Sequence, residues 1–239
     1  MSDATWTSAI PVLTGKVVAV REVCSADARA LAELLTDPLV IQHVSPPPRS
    51  ASAFESFIEW SRQQRAQGRG VCFGIVPHGL ESAVGIIQLR ALEPSFFTAE
   101  WGFALGAAFW GTGAFIDAAN LVARFAFETM HVCRIEARAV ESNGRGNGAL
   151  QKIGARAEGS LARSFKREGA YLTQMMWGLT AEDWQQRPLL TARFRASDTR
   201  AEIASAISKV RDLLDTNRPG GGSPGSRPHG YFLTHSDDD

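Results

Sequence analysis

The sequence predicts a mixed α/β domain, and three observations support this prediction. Residues 71–76 and 83–89 are short runs rich in β-branched residues, and the Pro-His-Gly turn between them predicts an antiparallel hairpin. Residues 160–165 and 171–179 repeat this arrangement around a second turn that contains glycine. Between the hairpins come a strand at 97–105, a glycine-rich turn, an apolar helical run and another strand. The chain thus combines strand and helix patterns in one region.

Two helices are predicted before the first hairpin, after a short β-branched strand. Ser25 can cap the first helix, and Asp37-Pro38 ends it, because the residue before a proline disfavours the α region. Ser50 or Ser52 can cap the second helix. Its aromatic residues recur at helical spacing, so we assign them to the core.

We divide the chain into four parts. Residues 1–13 are small, polar and aperiodic, which predicts a flexible terminus, and residues 14–187 form the folded domain. We predict an amphipathic helical extension at residues 188–216. We predict a disordered tail, rich in glycine, proline and serine, at residues 217–239. The apolar face of the extension can dock on its own domain, which is the simpler interpretation, or on a partner; it comprises Ile203, Ile207, Val210 and Leu214.

The composition excludes several classes of protein. Lysine plus arginine and aspartate plus glutamate both number 25, and this balance argues against a nucleic-acid partner. The three cysteines and five histidines are scattered, so we predict neither a disulfide framework nor a metal site. Few, widely spaced cysteines also fit a protein of the reducing cytosol. No signal-peptide pattern is visible, and no apolar run approaches the ~20 residues of a membrane span. We therefore expect a cytoplasmic monomer or homodimer that does not engage a membrane.

The turn Gly111-Thr112-Gly113 is a candidate anion site. Glycine allows positive φ and close approach to a ligand, and the following helix presents free N–H groups at its positive end. A phosphate or pyrophosphate fits such a site, although a plain turn that needs glycine has the same residues. A dinucleotide fingerprint fails here, because Ile116 occupies the third glycine position. Glu136 nevertheless lies about 20 residues after the glycine turn, where the ribose-binding acid of a dinucleotide fold would lie.

A set of motifs in a fixed order covers residues 16–184. It comprises Asp37-Pro-Leu-Val40, Ala99-Glu-Trp-Gly-Phe-Ala104, Trp110-Gly-Thr-Gly-Ala114, Arg134-Ile-Glu-Ala137, Asn143 and Leu150-Gln-Lys-Ile-Gly154. In order and spacing these motifs resemble the GCN5-related N-acetyltransferase (GNAT) superfamily, and most of all its ribosomal-protein alanine N-acetyltransferases. The resemblance implies a central, mostly antiparallel sheet flanked by helices, with a V-shaped opening between two near-parallel central strands. It also implies acetyl-CoA as the co-substrate.

The resemblance further implies which residues bind acetyl-CoA. One central strand would hold the pantetheine arm, the glycine turn would hold the pyrophosphate, and asparagines after the next strand would contact the cofactor. These residues are Phe103, Ala104 and Leu105; Trp110, Gly111, Thr112, Gly113 and Ala114; and Asn143 and Asn147. Four cations lie nearby and would either meet the 3′-phosphate or form a solvated basic face: Arg138, Arg145, Lys152 and Arg156.

Three positions depart from the family pattern. Ala108 stands where the family turn often begins with arginine or glutamine, which leaves pyrophosphate binding to backbone N–H groups. Gly146 replaces the serine of the Asn-x-x-Ser motif, whose hydroxyl lies near the thioester sulfur. Leu150 stands where other branches carry a tyrosine. No proton donor of the family is therefore retained.

Glu100 is the candidate base, because it lies on the strand that leads into the glycine turn; a surface ion pair is the alternative. Ser142 is the candidate replacement for the missing hydroxyl, unless strand alternation points it away. Glu136 and Glu141 are secondary carboxylates, and Tyr171 is either an acceptor-site residue or an ordinary core or surface tyrosine.

The sequence therefore predicts acetyl transfer from acetyl-CoA to a primary amine, either a protein N-terminus or a small molecule. Direct attack needs a neutral amine, an oriented thioester and an acceptor for the departing proton. Two alternatives stay open. Gly146 and Leu150 suggest a protein that binds acyl-CoA without efficient catalysis, and the glycine turn suggests a nicotinamide-dependent enzyme.

Overall fold

The computed structural model describes residues 5–186 and 196–216. Within them the strands form a single eight-stranded sheet in the order β1-β2-β3-β4-β5-β6-β8-β7. The strands are β1 (Leu13–Thr14), β2 (Val18–Glu22), β3 (Gly70–Pro77), β4 (Gly85–Ala91), β5 (Thr98–Leu105), β6 (Arg134–Val140), β7 (Arg156–Arg167) and β8 (Ala170–Thr180). Every pairing is antiparallel except that of β5 with β6. Both predicted hairpins and the mostly antiparallel sheet are confirmed.

Seven α-helices accompany the sheet in the described residues. They are α1 (Ala28–Leu35), α2 (Pro38–Ile41), α3 (Ala51–Ala66), α4 (Ala114–Arg124), α5 (Gly144–Lys152), α6 (Ala181–Gln186) and α7 (Ala196–Thr216). A π-helical turn, Phe125–Thr129, continues α4. None of these helices is long and apolar enough to cross a membrane.

Strand alternation divides the core between the two faces of the sheet. On β3, Phe73 and Ile75 point to the face that α4 and α5 cover, whereas Cys72 and Val76 point to the face of α1 and α3. Both faces are closed by helices, which explains why all eight residues of β3 are buried.

Local signals explain where the early helices begin and end. Ser50 caps α3 by accepting a hydrogen bond from the backbone of Ala53, as predicted. The predicted stop at Asp37-Pro38 is also a start, because Pro38 opens α2 and Asp37 caps it through the Leu39 amide. The expected cap at Ser25 is wrong. The first turn there is a 3₁₀ turn, and the Asp27 carboxylate accepts the Cys24 amide instead.

The predicted flexible terminus is partly ordered. Trp6 is only 6% exposed and packs edge-to-face on Phe96 with ring centroids 5.4 Å apart. Leu13 and Thr14 then pair with β2 as β1. An aromatic side chain in the core secures this segment, although its surroundings in the sequence are polar. Residues 187–195 and the predicted disordered tail at 217–239 lie outside the described residues.

The amphipathic face of α7 packs on its own domain. Ile203, Ala206, Ile207 and Val210 are buried in the core. The helix contacts the 3₁₀ turn Ala107–Phe109, which precedes the glycine turn, and Arg211 donates a hydrogen bond to the carbonyl of Gly79 at 2.5 Å. Of the two alternatives for this face, docking on the domain is the one the structure has.

A buried ion pair joins β2 to the start of α1. The Asp27 carboxylate accepts two hydrogen bonds from the Arg21 guanidinium, at 2.7 and 2.8 Å, and further bonds from the amides of Cys24 and Ala83. Burial alone would raise the pKa of Asp27, but the hydrogen bonds from Arg21 and from these two amides outweigh it, so the pKa lies below its usual value. Asp27 thus stabilises the fold through its charged form.

Replacing Asp27 with asparagine should destabilise the protein and remove one source of acid sensitivity. We expect a loss of about 3 kcal/mol at pH 7, the low end for breaking a buried ion pair, because Arg21 still touches solvent. The lowered pKa stabilises the fold above the unfolded value of ~4 and ceases to do so as pH falls through the folded value. Urea unfolding should therefore show the difference between wild type and variant shrinking below about pH 4. Asp37→Asn, which keeps a capping side chain, is the control; an equal difference at pH 7 and pH 3 contradicts the ion-pair role.

Placing a charge in the α7 interface should undock the helix. Val210 is 2% exposed, so Val210→Asp should cost at least about 2 kcal/mol and lower the melting temperature by about 5 °C. Ser208→Asp introduces the same side chain at an exposed position of the same helix and should change the melting temperature little. Differential scanning calorimetry measures both, and limited proteolysis should cut only the Val210 variant within α7. Equal behaviour of the two variants contradicts the docking of this face.

Candidate functional site

The pairing between β5 and β6 ends early, which opens the sheet. Their register covers only Thr98 with Arg134, Ala99 with Ile135 and Glu100 with Glu136. Residues 101–105 then pair with β4 alone, while residues 137–140 pair with β8. The two parallel strands therefore diverge toward their carboxyl ends, as the V-shaped opening requires. Ligands of sheets with parallel strands commonly bind outside such carboxyl ends.

The glycine turn closes one side of this opening. Gly111 and Gly113 both have positive φ, 81° and 80°, and Gly113 is the residue before α4. The Thr112 hydroxyl donates to the carbonyl of Phe109 at 2.8 Å, and the Trp110 indole donates to the carbonyl of Leu105 at 2.8 Å. These bonds fix the turn to the end of β5 and aim the N-terminus of α4 into the opening.

A second helix begins at the same edge. Asn143 follows β6 and caps α5, because its side-chain oxygen accepts the Gly146 amide at 2.9 Å. A Cβ atom on Gly146 would lie 2.6 Å from the Asn143 amide nitrogen, so the glycine makes room for this cap. The amino ends of α4 and α5 thus face one opening from two sides. Together they favour a negatively charged ligand.

The opening contains a pocket of about 440 Å³. Its walls combine β5, the glycine turn, the first turns of α4 and α5, and two valines near α2. The lining residues are Val40, Val44, Phe103, Ala104, Leu105, Phe109, Trp110, Gly111, Gly113, Phe115, Ile116, Asn143, Gly144, Arg145, Gly146, Gly148, Ala149 and Lys152. The volume and the mostly apolar wall fit a small organic ligand.

The charges on the pocket wall are all positive among the described residues. Arg145 and Lys152 line the pocket, and its wall includes no carboxylate. The Arg145 guanidinium lies over the Trp110 ring, 4.6 Å from its centroid, so it links α5 to the glycine turn. An anion at the turn would therefore meet two cations as well as two helix N-termini.

A smaller cavity of about 50 Å³ continues from this pocket toward the paired part of β5 and β6. The two share Val44, Phe103, Asn143 and Gly146. Unlike the larger pocket, this cavity is polar. Its other lining residues are His43, Ser45, Glu100, Trp101, Gly102, Arg138, Ala139, Phe165 and Gln174.

Glu100 is the only acidic group on the wall of the small cavity among the described residues, and two arginines face it. Its side chain is 2% exposed. One carboxylate oxygen lies 2.6 Å from Nη2 of Arg90, and the other lies 3.8 Å from Nε of Arg138. Glu100 therefore lines a cavity beside the opening, and the ion pair that we weighed as the alternative is buried rather than on the surface.

His43 also lines this cavity, and the sequence analysis missed it. It follows α2, and its Nδ1 atom is buried without a hydrogen-bond partner in the described residues. Burial lowers the pKa of His43, which favours the neutral imidazole. No motif surrounds His43 in the sequence. Its only signal is its position, five residues after Pro38, in a loop that the fold brings to the end of β5.

Seven of the ten predicted cofactor residues line the larger pocket: Phe103, Ala104, Leu105, Trp110, Gly111, Gly113 and Asn143. Thr112 and Ala114 are buried, and Thr112 uses its hydroxyl to shape the turn. Asn147 lines neither cavity. Its amide donates to the carbonyls of Val140 and Asn143 and accepts the Trp177 indole, so it joins β6, α5 and β8 instead.

Five other candidates of the sequence analysis line neither cavity. Ser142 and Glu141 are exposed, and neither lines a cavity, so the serine is not placed to replace the missing hydroxyl. Glu136 pairs with Arg134 at 2.9 Å, and Arg156 pairs with Asp183. Tyr171 is 51% exposed beside Arg163 and Lys166, as a surface tyrosine.

The dinucleotide interpretation does not fit this architecture. A dinucleotide fold is built on a mostly parallel sheet, whereas this sheet has one parallel pair within the described residues. Glu136, which would bind the ribose, is held by Arg134 outside the pocket. Nor do the described residues contain a cluster of three or more side chains suited to a metal ion.

Comparison with known proteins gives consistent matches. A protein named as the uncharacterized N-acetyltransferase p20 of Bacillus licheniformis is 23% identical over 159 residues, which cover 66% of this chain and 89% of that protein. Mycobacterium smegmatis RimJ, solved in complex with CoA-disulfide, has a TM-score of 0.63 at 20% identity and covers 82% of this chain and 94% of its own. The ribosomal-protein-S5-alanine acetyltransferase of Vibrio fischeri has a TM-score of 0.65 at 17% identity, over 75% of this chain and 100% of its own.

A family model provides the assignment itself. The model described as an acetyltransferase (GNAT) domain matches residues 18–156, which run from the start of β2 to the start of β7. That segment contains β5, the glycine turn, α4, β6 and α5, and so both walls of the opening. Because this match spans more than half of the sequence and the solved acetyltransferases share the fold, the chain belongs to the GNAT family of acetyltransferases.

Proposed function

We propose that this protein transfers an acetyl group from acetyl-CoA to a primary amine. The observation that carries the proposal is the opening between β5 and β6, which joins a cationic pocket with two helix N-termini to a small polar cavity. The first suits a phosphorylated cofactor and the second suits an amino group. RimJ of Mycobacterium smegmatis, which shares the fold, was solved with a CoA derivative.

The wall of the larger pocket fits the parts of acetyl-CoA in order. The unpaired edge of β5 at residues 103–105 offers backbone groups to the amides of the pantetheine arm. Phe103, Phe115 and Ile116 offer apolar contacts along it. The turn at Gly111 and Gly113 suits the pyrophosphate. Because Ala108 stands in place of an arginine or glutamine, backbone N–H groups of the turn would bind it. Arg145 and Lys152 are the side chains that would neutralise the phosphates.

The small cavity supports an acceptor-amine site at the inner end of the opening. Acetyl-CoA supplies the acetyl group and a thiolate that leaves readily. The protein has then to orient the amine, keep water out and accept its proton. Glu100 is positioned to hold an amino group by hydrogen bonding while its own charge stays balanced by Arg90 and Arg138.

The proposed acceptor is the N-terminus of a protein, with a small-molecule amine as the alternative. The likeness to an enzyme named for alanine of ribosomal protein S5 supports the first, and it is a likeness of fold. A cytoplasmic location is part of the same proposal.

A second candidate is a protein that binds acetyl-CoA without efficient turnover. Leu150 has no hydroxyl, and its side chain packs in the core at 1% exposure. The Asn143 cap fills the space beside Gly146. A thiolate leaves without an acid, however, so these residues weaken the case for an acid and not the case for transfer.

Acetyl-CoA binding should depend on the glycine turn. Gly113→Ala forces an L side chain into the left-handed region at φ 80°, at a cost of ~1–2 kcal/mol, which should distort the turn and lower acetyl-CoA affinity about tenfold. Gly159→Ala adds the same methyl group in β7, where a Cβ meets nothing within 4 Å, and should bind like wild type. Isothermal titration measures both. Failure of the wild type to bind acetyl-CoA would overturn the proposed function.

Turnover separates an enzyme from a binding protein. A free-thiol assay with acetyl-CoA should show CoA release that depends on an added amine, and peptides with a free N-terminus should outperform the same peptides with a blocked one. Mass spectrometry should then find one added acetyl group on the peptide. Tight acetyl-CoA binding without release on any peptide or small amine would support the second candidate.

A further inference from the structure

We infer that His43 is the catalytic base, the group that takes the proton from the acceptor amine. This inference rests on the proposed acetyl transfer and assigns a residue that lies outside the family motifs of this chain. Three observations support it: the position of His43, the state of its ring, and the engagement of the competing carboxylate.

The position of His43 is at the inner end of the opening. It lines the cavity of about 50 Å³ together with Glu100 and Asn143, and this cavity adjoins the proposed acetyl-CoA pocket. Such a space has room for an amino group or for one to two water molecules, each with a share of about 30 Å³. A base on its wall is therefore close to any amine that enters it.

The ring of His43 is suited to receive a proton. Its buried Nδ1 atom makes no hydrogen bond to any described residue, so none of those residues fixes the tautomer of the ring. Neutral imidazole has one acceptor nitrogen and one donor nitrogen, whichever tautomer is present. Burial favours the neutral ring, since it lowers the pKa of His43 from its usual value near 6.5.

The surrounding charges leave His43 as the available base. Glu100 from β5 and Arg138 from β6 are the charged groups on the cavity wall, Arg90 of β4 pairs with Glu100, and Arg167 of β7 donates to the Val44 carbonyl beside His43. Both carboxylate oxygens of Glu100 already face guanidinium groups, Nη2 of Arg90 at 2.6 Å and Nε of Arg138 at 3.8 Å. The carboxylate therefore orients the amine, and the imidazole receives the proton.

The reaction then balances without another reagent. The amine nitrogen forms a bond to the acetyl carbon, the carbon–sulfur bond breaks, and its electron pair leaves on the sulfur. The proton lost by the amine passes to the His43 ring. The imidazolium returns this proton to the CoA thiolate, directly or through water, so the histidine is regenerated and the absent serine or tyrosine is not needed.

The pH dependence of kcat/KM provides a test that a merely structural role would not pass. With a peptide acceptor, the N-terminal amine, pKa near 8, and His43 must both be neutral. On a logarithmic plot, the wild-type profile should therefore approach a slope of two at pH values below the pKa of His43, which lies below its usual value. His43→Gln should lower the rate at pH 8 by about 100-fold or more and reduce that slope to one. Acetyl-CoA affinity, measured by isothermal titration, should stay unchanged.

Two further variants make the outcome decisive. His78→Gln makes the same change at an exposed histidine and should leave rate and slope as in wild type. His43→Ala removes the ring altogether, and free imidazole should restore part of its activity, which distinguishes proton transfer from packing and applies even if the glutamine variant folds poorly. An active wild type with an unchanged slope and rate in His43→Gln, or no rescue by imidazole, overturns the role of His43 but leaves acetyl transfer standing. No turnover in the wild type overturns both.

Discussion

The early end of the β5–β6 pairing is the constraint on which the rest of the site depends. A parallel pair that continued past Glu100 would satisfy the backbone of residues 101–105 and leave no room for a ligand. The separation is kept by elements on each side. Gly85 lets β4 lie close to β5, since a Cβ there would meet the Ala104 carbonyl oxygen at 2.6 Å. On the other side β8 pairs with β6 along its whole length.

The opening also explains the positions of the two helix N-termini. A parallel pair needs a crossover connection, and here it includes α4, so α4 begins at the edge where β5 ends. The chain leaves β6 at the same edge and enters α5 through the Asn143 cap. Trp110 connects β5 to α5, because its indole donates a hydrogen bond to the Leu105 carbonyl of β5 and its ring packs against the Arg145 guanidinium of α5. The cationic character of the pocket is thus a consequence of topology as well as of side chains.

The sequence predicted the strands, hairpins and glycine turn of this arrangement, but it missed the residues whose partners are distant in the chain. Hairpins, the glycine turn and the strand before it have local signals, because turn residues and periodicity report local conformation. The resemblance added Asn143 and β5, which both line the larger pocket. Asn147, which we predicted to contact the cofactor, lines neither cavity and instead links β6, α5 and β8. Trp6 and Asp27 were missed as core residues because their partners, Phe96 and Ala83, lie 90 and 56 residues away.

The acceptor half could not be read from the sequence for a related reason. His43, Glu100, Arg138 and Gln174 come from a loop and three strands, and their meeting depends on the sheet order rather than on spacing. A few glycines are enough to form a phosphate site from backbone groups. A site for a particular amine must be built from side chains, and these differ from one acceptor to another. The motifs therefore report the proposed cofactor pocket, whereas His43 of the small cavity lies in a part of the chain without a motif. Gly146, where the resemblance led us to expect a hydroxyl, lines the same cavity as the His43 imidazole, so the two positions are best judged together.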